Sequence, residues 1–529
     1  MLHKLMDKEA LAFLEIDALL SKFSPSSYYG KWLLKQPKVY FRGDEPTLIS
    51  HYKRLEEFES LWQGIDIERI KHCLSELKNI THSVEKVELQ QLPSVVDFFE
   101  IKKFMYFLKR LLNLLEGAQK IKELYRLYFE PVIWSILDPR ETNQFFFSID
   151  SDYAVELRKE LDKYRALEKA ELRKICAKLE RQYDLSLKNR TEFLLERSDI
   201  RNHALKKSDH CTVISENAFS VQYKVIRAEE DADYSKEIER IKTEMEQEEI
   251  RYRKELMEQL STYTDHMRKQ MAVIGELDRD IALLEYKLEN DGSFPEITNE
   301  GHGLKIKSGV LLDVKDFCEK KGFLYDPVSI QLDRGITVIV GANMGGKTTS
   351  LKTIGQLYVA CAMGLPITAK RFRSGLFDSV HCVYRTSEEE GLSGFAMEVK
   401  RILPVFQTGC HLNLIDEFGS ATNPKEGEAL ASSIVKTLSE KESVSVFVTH
   451  FSNPLNYGGQ CYQTGFLKKH EEEDLNAQNI YGYIDHRLEK IKEDHIPQAA
   501  IVISKALGLP EDVIEQARKL SEHSSRQIV

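Results

Sequence analysis

The chain has 529 residues, 42% hydrophobic and 30% charged, with a formal net charge of −10. That length suits two or three domains with cores of their own, and no apolar run approaches the ~18–20 residues of a membrane span. The acidic balance argues against non-specific nucleic-acid binding, which rests on Lys and Arg neutralising phosphates, but leaves room for a local basic surface.

The opening stretch MLHKLMDKEALAFLEIDALL mixes acids among its apolar positions. It lacks the uninterrupted apolar centre and small-residue cleavage site of a signal peptide, so the expected location is cytoplasmic. Residues 1–153 read as a helical core or lever domain. LEEFESLW and FFEIKKFMYFLKRLLNLLEGAQKIKELYRLYF carry apolar residues at i, i+3, i+4 and i+7. The second is apolar on more than one face, as a buried helix would be. Pro25, Pro37 and Pro46 mark breaks between the early helices.

Residues 154–290 read as a coiled-coil arm. The first run is charged and free of Gly and Pro, with Leu157, Leu161, Tyr164, Leu172, Ile175 and Leu179 near a heptad stripe. A second run over 235–287 repeats apolar residues at steps of three and four. As one helix it would span roughly 70–80 Å. Between them, HCTVISENAFSVQYKVIRA predicts two strands around the turn SENA. The simplest geometry is a helix out, a small β tip and a return helix; a plain antiparallel spacer fits the periodicity equally. The tip holds Arg201, Lys206, Lys207, Lys224 and Arg227 against Asp209 and Glu216, mildly basic.

Residues 291–529 turn to an α/β pattern. SIQLDRGITVIVG predicts two strands around a turn, TTSLKTIGQLYVACAMG a helix, and CHLNLIDE and SVSVFVTH strands separated by a further helix. Such alternation implies a mostly parallel sheet. The eight cysteines, scattered with no C-x-x-C pair, predict buried reduced thiols rather than a zinc or redox site.

Gly341-Ala342-Asn343-Met344-Gly345-Gly346-Lys347-Thr348 fits the phosphate-loop pattern G-x-x-x-x-G-K-[ST], after a strand and opening a helix. Glycines let backbone N–H groups turn onto phosphates, and the helix N-terminus adds a favourable dipole. In this reading Lys347 reaches the β/γ-phosphates of ATP, Thr348 ligates Mg²⁺ and Thr349 joins the nucleotide-binding set. Asp416 at a strand end would serve Mg²⁺, and Glu417 beside it would polarise the attacking water. His450, ending SVFVTH, is placed to sense the γ-phosphate. Ser393 either N-caps the following helix or, as in ABC-like ATPases, contacts the γ-phosphate held by a partner subunit.

Together these motifs resemble the MutS family of mismatch-repair ATPases. GANMGGKTT is similar to the family's G-P-N-M-G-G-K-S-T, and IDEFGSATNPKEGEALA resembles the D-E-x-G-x-G-T-x-P-x-E-G-x-A-L-A of its second, recombination-linked branch. LKTIGQLYVACAMGLPITA and SKALGLPEDVIEQARKL fit as well. The resemblance implies an ABC-like P-loop ATPase domain joined to a helical lever with a coiled-coil arm, and a homodimer with two shared ATP sites. It implies nucleotide and Mg²⁺ binding by Asn343, Gly346, Lys347 and Thr348. Asp416 and Glu417 would serve magnesium and water, His450 the γ-phosphate and Ser393 the neighbour's ATP.

The sequence departs from the family at Ala342 for the loop proline and Ala421 for a glycine. YRTSEEEGLSGF stands in place of G-D-E-Q-S…S-T-F, keeping only Ser393, Phe395 and Glu398. KIKSGVLLDV stands where R-H-P-L-L is usual. A truncated member is expected, without the mismatch-reading domain or the C-terminal nuclease domain. The triplet Phe98-Phe99-Glu100 sits in a helical pattern and reads as core rather than a mismatch reader. Two functions follow: a clamp-like ATPase on mismatched or branched DNA, or an ATP-driven reactivating partner of an adenosylcobalamin-dependent aminomutase.

Overall fold

A computed structural model describes residues 2–149, 151–188, 190–229, 232–298, 303–341, 345–385, 394–467, 484–491, 501, 504–505 and 507–526. The chain forms two compact units. The larger takes residues 1–76, 111–128 and 271–529, and the smaller 77–110 and 129–270. Short N-terminal helices and helix α1 (Glu45–Ser60) belong to the larger unit, while α2 (Val95–Leu114) begins in the smaller and ends in the larger. Phe98 on α2 is fully buried and stacks on Phe147 at 5.6 Å, as its core reading requires.

In the smaller unit, α3 (Asp152–Tyr183) starts at Ser151, whose hydroxyl accepts the Ala154 N–H at 3.1 Å. Its partner is α4 (Ser235–Ser261). Leu157 and Leu161 pack with Ile238 and Ile241 in one buried cluster. Burial of each such side chain contributes roughly 1.5–3 kcal/mol. Arg240 pairs with Glu160 at 3.0 Å, and the Tyr153 hydroxyl donates to Glu244 at 3.1 Å. Since 153 meets 244 and 160 meets 240, the two helices run antiparallel.

Farther along α3 the stripe serves a different core. Ile175, Cys176 and Leu179 are buried with Leu205, Val221 and Tyr223 of the β tip. The tip has three strands rather than two: β1 (Glu192–Glu196), β2 (Cys211–Glu216) and β3 (Ser220–Val225), all antiparallel in the order β1-β3-β2. The Asn217 side chain accepts the N–H groups of Phe219 and Ser220, both at 2.8 Å, and so closes the β2–β3 turn.

The second periodic run is also two helices rather than one. α4 ends at Ser261 and α5 (Thr264–Glu289) begins three residues later. The hydroxyls of Ser261 and Thr262 bond back to the carbonyls of Glu258 and Gln259, at 2.7 and 3.3 Å. Such side-chain bonds compete with the helical ladder.

The larger unit holds a four-stranded and a six-stranded sheet. The first joins β4 (Glu296–Ile297), β5 (Leu304–Gly309), β6 (Val328–Leu332) and β8 (Ala369–Ser374) in the order β4-β8-β5-β6. The second orders β15-β12-β7-β11-β10-β9. Its strands are β7 (Gly335–Gly341), β9 (Ser379–Val383), β10 (His411–Asp416), β11 (Val444–Thr449), β12 (Gln460–Thr464) and β15 (Glu489–Lys490). Every pairing is parallel except β12 with β15. A short antiparallel pair, β13 (Phe466–Leu467) and β14 (Ile484–Asp485), stands apart.

The two strands predicted around Asp333-Arg334 therefore exist, but they part into different sheets. Helix α6 (Leu312–Lys321) follows β5. Helix α7 (Lys347–Ala362) is buried along almost its whole length, which explains its apolar residues on several faces. The Tyr52 hydroxyl of α1 donates to the Cys361 carbonyl in the last turn of α7 at 3.1 Å and to that of Leu365, just past its end, at 3.0 Å. On the opposite face of the parallel sheet, α8 (Gly394–Ile402) and α9 (Pro424–Ser439) cover Val338, Ile415 and Phe447. All eight cysteines are free thiols, buried except for the half-buried Cys318 and Cys461. A last helix, α10, spans Glu511–Arg526. No helix among the described residues is long and apolar enough to cross a membrane.

Candidate functional site

The site lies at the carboxyl ends of β7, β10 and β11, where a parallel sheet opens its binding crevice. β7 is buried throughout and ends at Gly341. Asn343 and Met344 lie outside the described residues, as does Ser393. Gly346 has φ +84° and precedes Lys347, the first residue of α7. That backbone is open to glycine at little cost and turns the chain into the helix.

Lys347 is only 5% exposed. Its ammonium donates to the Gly341 carbonyl at 2.9 Å and stands 3.5 Å from Glu417 Oε1. Thr348 Oγ1 donates to Asp416 Oδ2 at 2.8 Å. The other carboxylate oxygen, Asp416 Oδ1, is buried without a hydrogen-bond partner. Burial raises the Asp416 pKa, the Thr348 hydroxyl opposes that shift, and the neighbouring Glu417 charge adds to it. A cation here would relieve both the burial penalty and the repulsion. Hard oxygen donors from one carboxylate and one threonine hydroxyl suit Mg²⁺.

Glu417 follows β10 with φ +50°, and its N–H donates to the Val448 carbonyl at 2.9 Å. Glu417 lines a cavity of about 820 Å³ together with Gly345, Gly346, Lys347, Thr348 and Thr349. The lining also includes apolar side chains, Val314 and Phe317 of α6 with Phe323 and Leu324 after it, beside the charged Lys321 and Asp326. Apolar side chains sharing a cavity with a glycine loop and a lysine match a flat ring joined to an anionic chain. His450 follows β11, between the strands that carry the lysine and the acids. Its ring is exposed, packs on Phe451 at 4.3 Å and is not among the residues lining this cavity.

Motif reading missed several contributors. Thr464, at the end of β12, has its hydroxyl 2.8 Å from the Gly345 carbonyl and 3.0 Å from that of His486. The His486 N–H donates to Asp326 at 3.2 Å, and both residues line the cavity. Glu398 on α8 accepts the Gly419 N–H at 2.9 Å, just past the acidic pair. Burial raises the Glu398 pKa, opposed in part by that bond. Glu398 belongs to the stretch already singled out with Ser393 and Phe395, whereas Asp326, Thr464 and His486 belong to no local motif; each reaches the loop or the acidic turn from a distant segment.

At the β tip, much of the predicted basic charge is already paired. Arg201 binds Asp199 at 2.6 Å and Lys206 binds Glu216 at 2.6 Å. Arg227 binds Glu168 at 2.8 Å. Lys207 and Lys224 are exposed.

The model of MutS domain V matches residues 337–524. The Endonuclease MutS2 of Lactococcus lactis subsp. cremoris (strain SK11) is 24% identical over 99% of this chain and 67% of its own length. That of Staphylococcus carnosus is 22% identical over 99% of this chain and 66% of its own. The Clostridium tetani protein of the same name is 30% identical over 53% of this chain and 35% of its own. The chain thus spans about two thirds of the relatives it matches from end to end, and about a third of those matched over one segment.

Proposed function

The chain belongs to the second branch of the MutS family, and from that premise we propose that it is a Mg²⁺-dependent P-loop ATPase that couples nucleotide binding and hydrolysis to a clamp-like movement on DNA. One observation carries the chemistry: Lys347, Thr348, Asp416 and Glu417 converge at one helix N-terminus and two strand ends. The backbone N–H groups around Gly345 and Gly346, with the dipole of α7, receive the phosphates of ATP. Lys347 leaves the Gly341 carbonyl and neutralises the β/γ-phosphates. Thr348 and Asp416 hold Mg²⁺, which when bound offsets the charge that develops on the phosphate oxygens. Glu417 orients and deprotonates the attacking water. The apolar side chains of Phe317, Phe323 and Leu324 take the base and exclude water from one side.

His450 serves as the γ-phosphate sensor in this reading, moving toward the nucleotide on binding. Ser393 of one subunit completes the neighbour's site in a homodimer. Three parts divide the labour: a lever over 1–153, an arm over 154–290 and the ABC-like ATPase domain over 291–529, all in the cytoplasm. The antiparallel α3–α4 pair with its β tip supports the arm reading. The relatives matched along the whole chain are named Endonuclease MutS2, which favours a role on DNA over an aminomutase partner; mismatched or branched DNA is the form we propose.

The test is ATP turnover by the purified protein with and without branched DNA, at ~100 mM salt because phosphate contacts weaken steeply with salt. Stimulation and binding by a species of twice the chain mass are expected. Turnover with neither DNA binding nor stimulation removes the DNA half of the reading and leaves the ATPase half standing.

A further inference from the structure

Glu398 is buried to 5% exposure on α8, yet it is neither in the phosphate loop nor in the acidic pair. Its carboxylate is spent on a backbone group: Oε2 accepts the Gly419 N–H at 2.9 Å. Gly419 lies two residues beyond Glu417 in a turn with unusual backbone angles, φ +50° at Glu417 and +85° at Gly419. The turn is otherwise held by the Glu417 N–H on the Val448 carbonyl at 2.9 Å, and by the Ser420 N–H on the Glu417 carbonyl at 3.3 Å. Phe418, 3% exposed, anchors it in the core beside Phe395 of the same helix, ring centroids 6.4 Å apart.

On the far side the turn meets backbone. A Cβ at Gly427 of α9 would stand 2.2 Å from the Gly419 carbonyl oxygen. α8 and α9 thus both close on the turn, and the hydrogen bond from α8 comes from a single carboxylate, beside the Phe395–Phe418 ring contact. A left-handed residue such as Glu417 persists only where its surroundings over-determine it. An unpaired Gly419 N–H would seek another acceptor and carry the turn with it.

We propose that Glu398 is a positioning residue for ATP hydrolysis. By holding the Gly419 N–H it fixes the turn that aims the Glu417 carboxylate at the attacking water beside Lys347. The inference rests on the ATPase reading above and adds to it a residue that touches neither nucleotide nor metal. A water-activating group displaced by about 1 Å loses up to ~10²-fold in rate, whereas the groups that bind the phosphates are left where they were. The signature is therefore a loss in kcat without a loss of nucleotide affinity.

The experiment compares wild type with E398A, E398D and E398Q by steady-state ATP turnover, equilibrium binding of ATPγS and thermal melting. E398D keeps the charge but shortens the reach by one methylene; E398Q keeps both reach and an acceptor oxygen. E398A and E398D are expected to lose ~10–100-fold in kcat, with ATPγS affinity unchanged within about twofold. E398Q is expected to turn over within about threefold of wild type. If E398A does not fold, the E398D and E398Q pair decides. Wild-type turnover in E398D and E398A, or an E398Q as slow as E398D, overturns the positioning role while the ATPase reading stands. A parallel loss of ATPγS binding overturns it too, because the turn would then serve binding. A wild-type protein without turnover overturns both.

Discussion

Glu417 carries its side chain on a left-handed backbone, a conformation that costs a non-glycine residue roughly 1–3 kcal/mol and persists where the surrounding structure over-determines it. Its carboxylate faces the Lys347 ammonium at 3.5 Å across the cavity. Glu417→Gln keeps the shape and removes the proposed base. It is expected to bind ATP as wild type does while kcat falls ~10²–10⁴-fold, read by equilibrium binding beside steady-state turnover. A variant that turns over normally would assign water activation to another group. At this scale the sequence was informative where chemistry is local. Gly346, Lys347 and Thr348 are consecutive, and Asp416-Glu417 ends a strand, so spacing alone gathers them. Asp326, Thr464 and His486 are brought in by tertiary packing from separate segments, and no spacing rule could find them; Glu398 was legible as a family residue, but its bond to the Gly419 N–H was not. Asn343, Met344 and Ser393 lie outside the described residues, so their roles rest on the family resemblance.

At the scale of elements, β7, α7, β10 and β11 were readable because each is a buried apolar run bounded by glycine or a charge. β6 and β7 show the limit of that reading. Two strands around a short turn suggest a hairpin, yet partner choice is set by registers far away, β5 for one and β11 with β12 for the other. The break between α4 and α5 escaped because apolar periodicity continues through Thr262 and Tyr263, and the hydroxyl bonds that end the helix do not alter it. β1 escaped as well: Leu194 is apolar yet points outward between Glu192 and Glu196, so Phe193-Leu194-Leu195 reads as a run rather than an alternation.

The edge of the parallel sheet carries a pH dependence of its own. Ser379 on β9 lies 2.9 Å from His381 Nε2 and 2.7 Å from His411 Nδ1 on β10. Burial, helped by the neighbouring His411 and opposed by Asp7, lowers the His381 pKa to about 4. The unfolded chain, with an ordinary histidine near 6.5, binds the proton first. The neutral ring's contribution is therefore whole above about pH 6.5 and is lost as pH falls toward 4. Melting temperature is expected to drop over that window, and His381→Gln to flatten the drop. An unchanged slope in the variant would place the acid sensitivity elsewhere, His51 being the next group to test because burial also lowers it to about 4.

Across the whole molecule, the acidic total of −10 and the ion-paired arginines and lysine of the β tip leave little free positive charge there. DNA binding through the tip is thus expected to be weak and to rely on few phosphate contacts, with a correspondingly shallow salt dependence. Length and composition indicated more than one domain and a change from helical to α/β pattern. They could not show that the larger unit gathers residues 1–76, 111–128 and 271–529, because that grouping depends on contacts between distant segments. Every proposed function depends on one engine, the proposed ATP site around Lys347. Its most direct test is steady-state ATP hydrolysis by the purified protein in Mg²⁺, wild type beside Lys347→Ala. The expected result is Mg²⁺-dependent turnover by the wild type and loss of nucleotide binding and turnover in the variant; hydrolysis absent from the wild type, or kept by Lys347→Ala at equal kcat/KM, would contradict it.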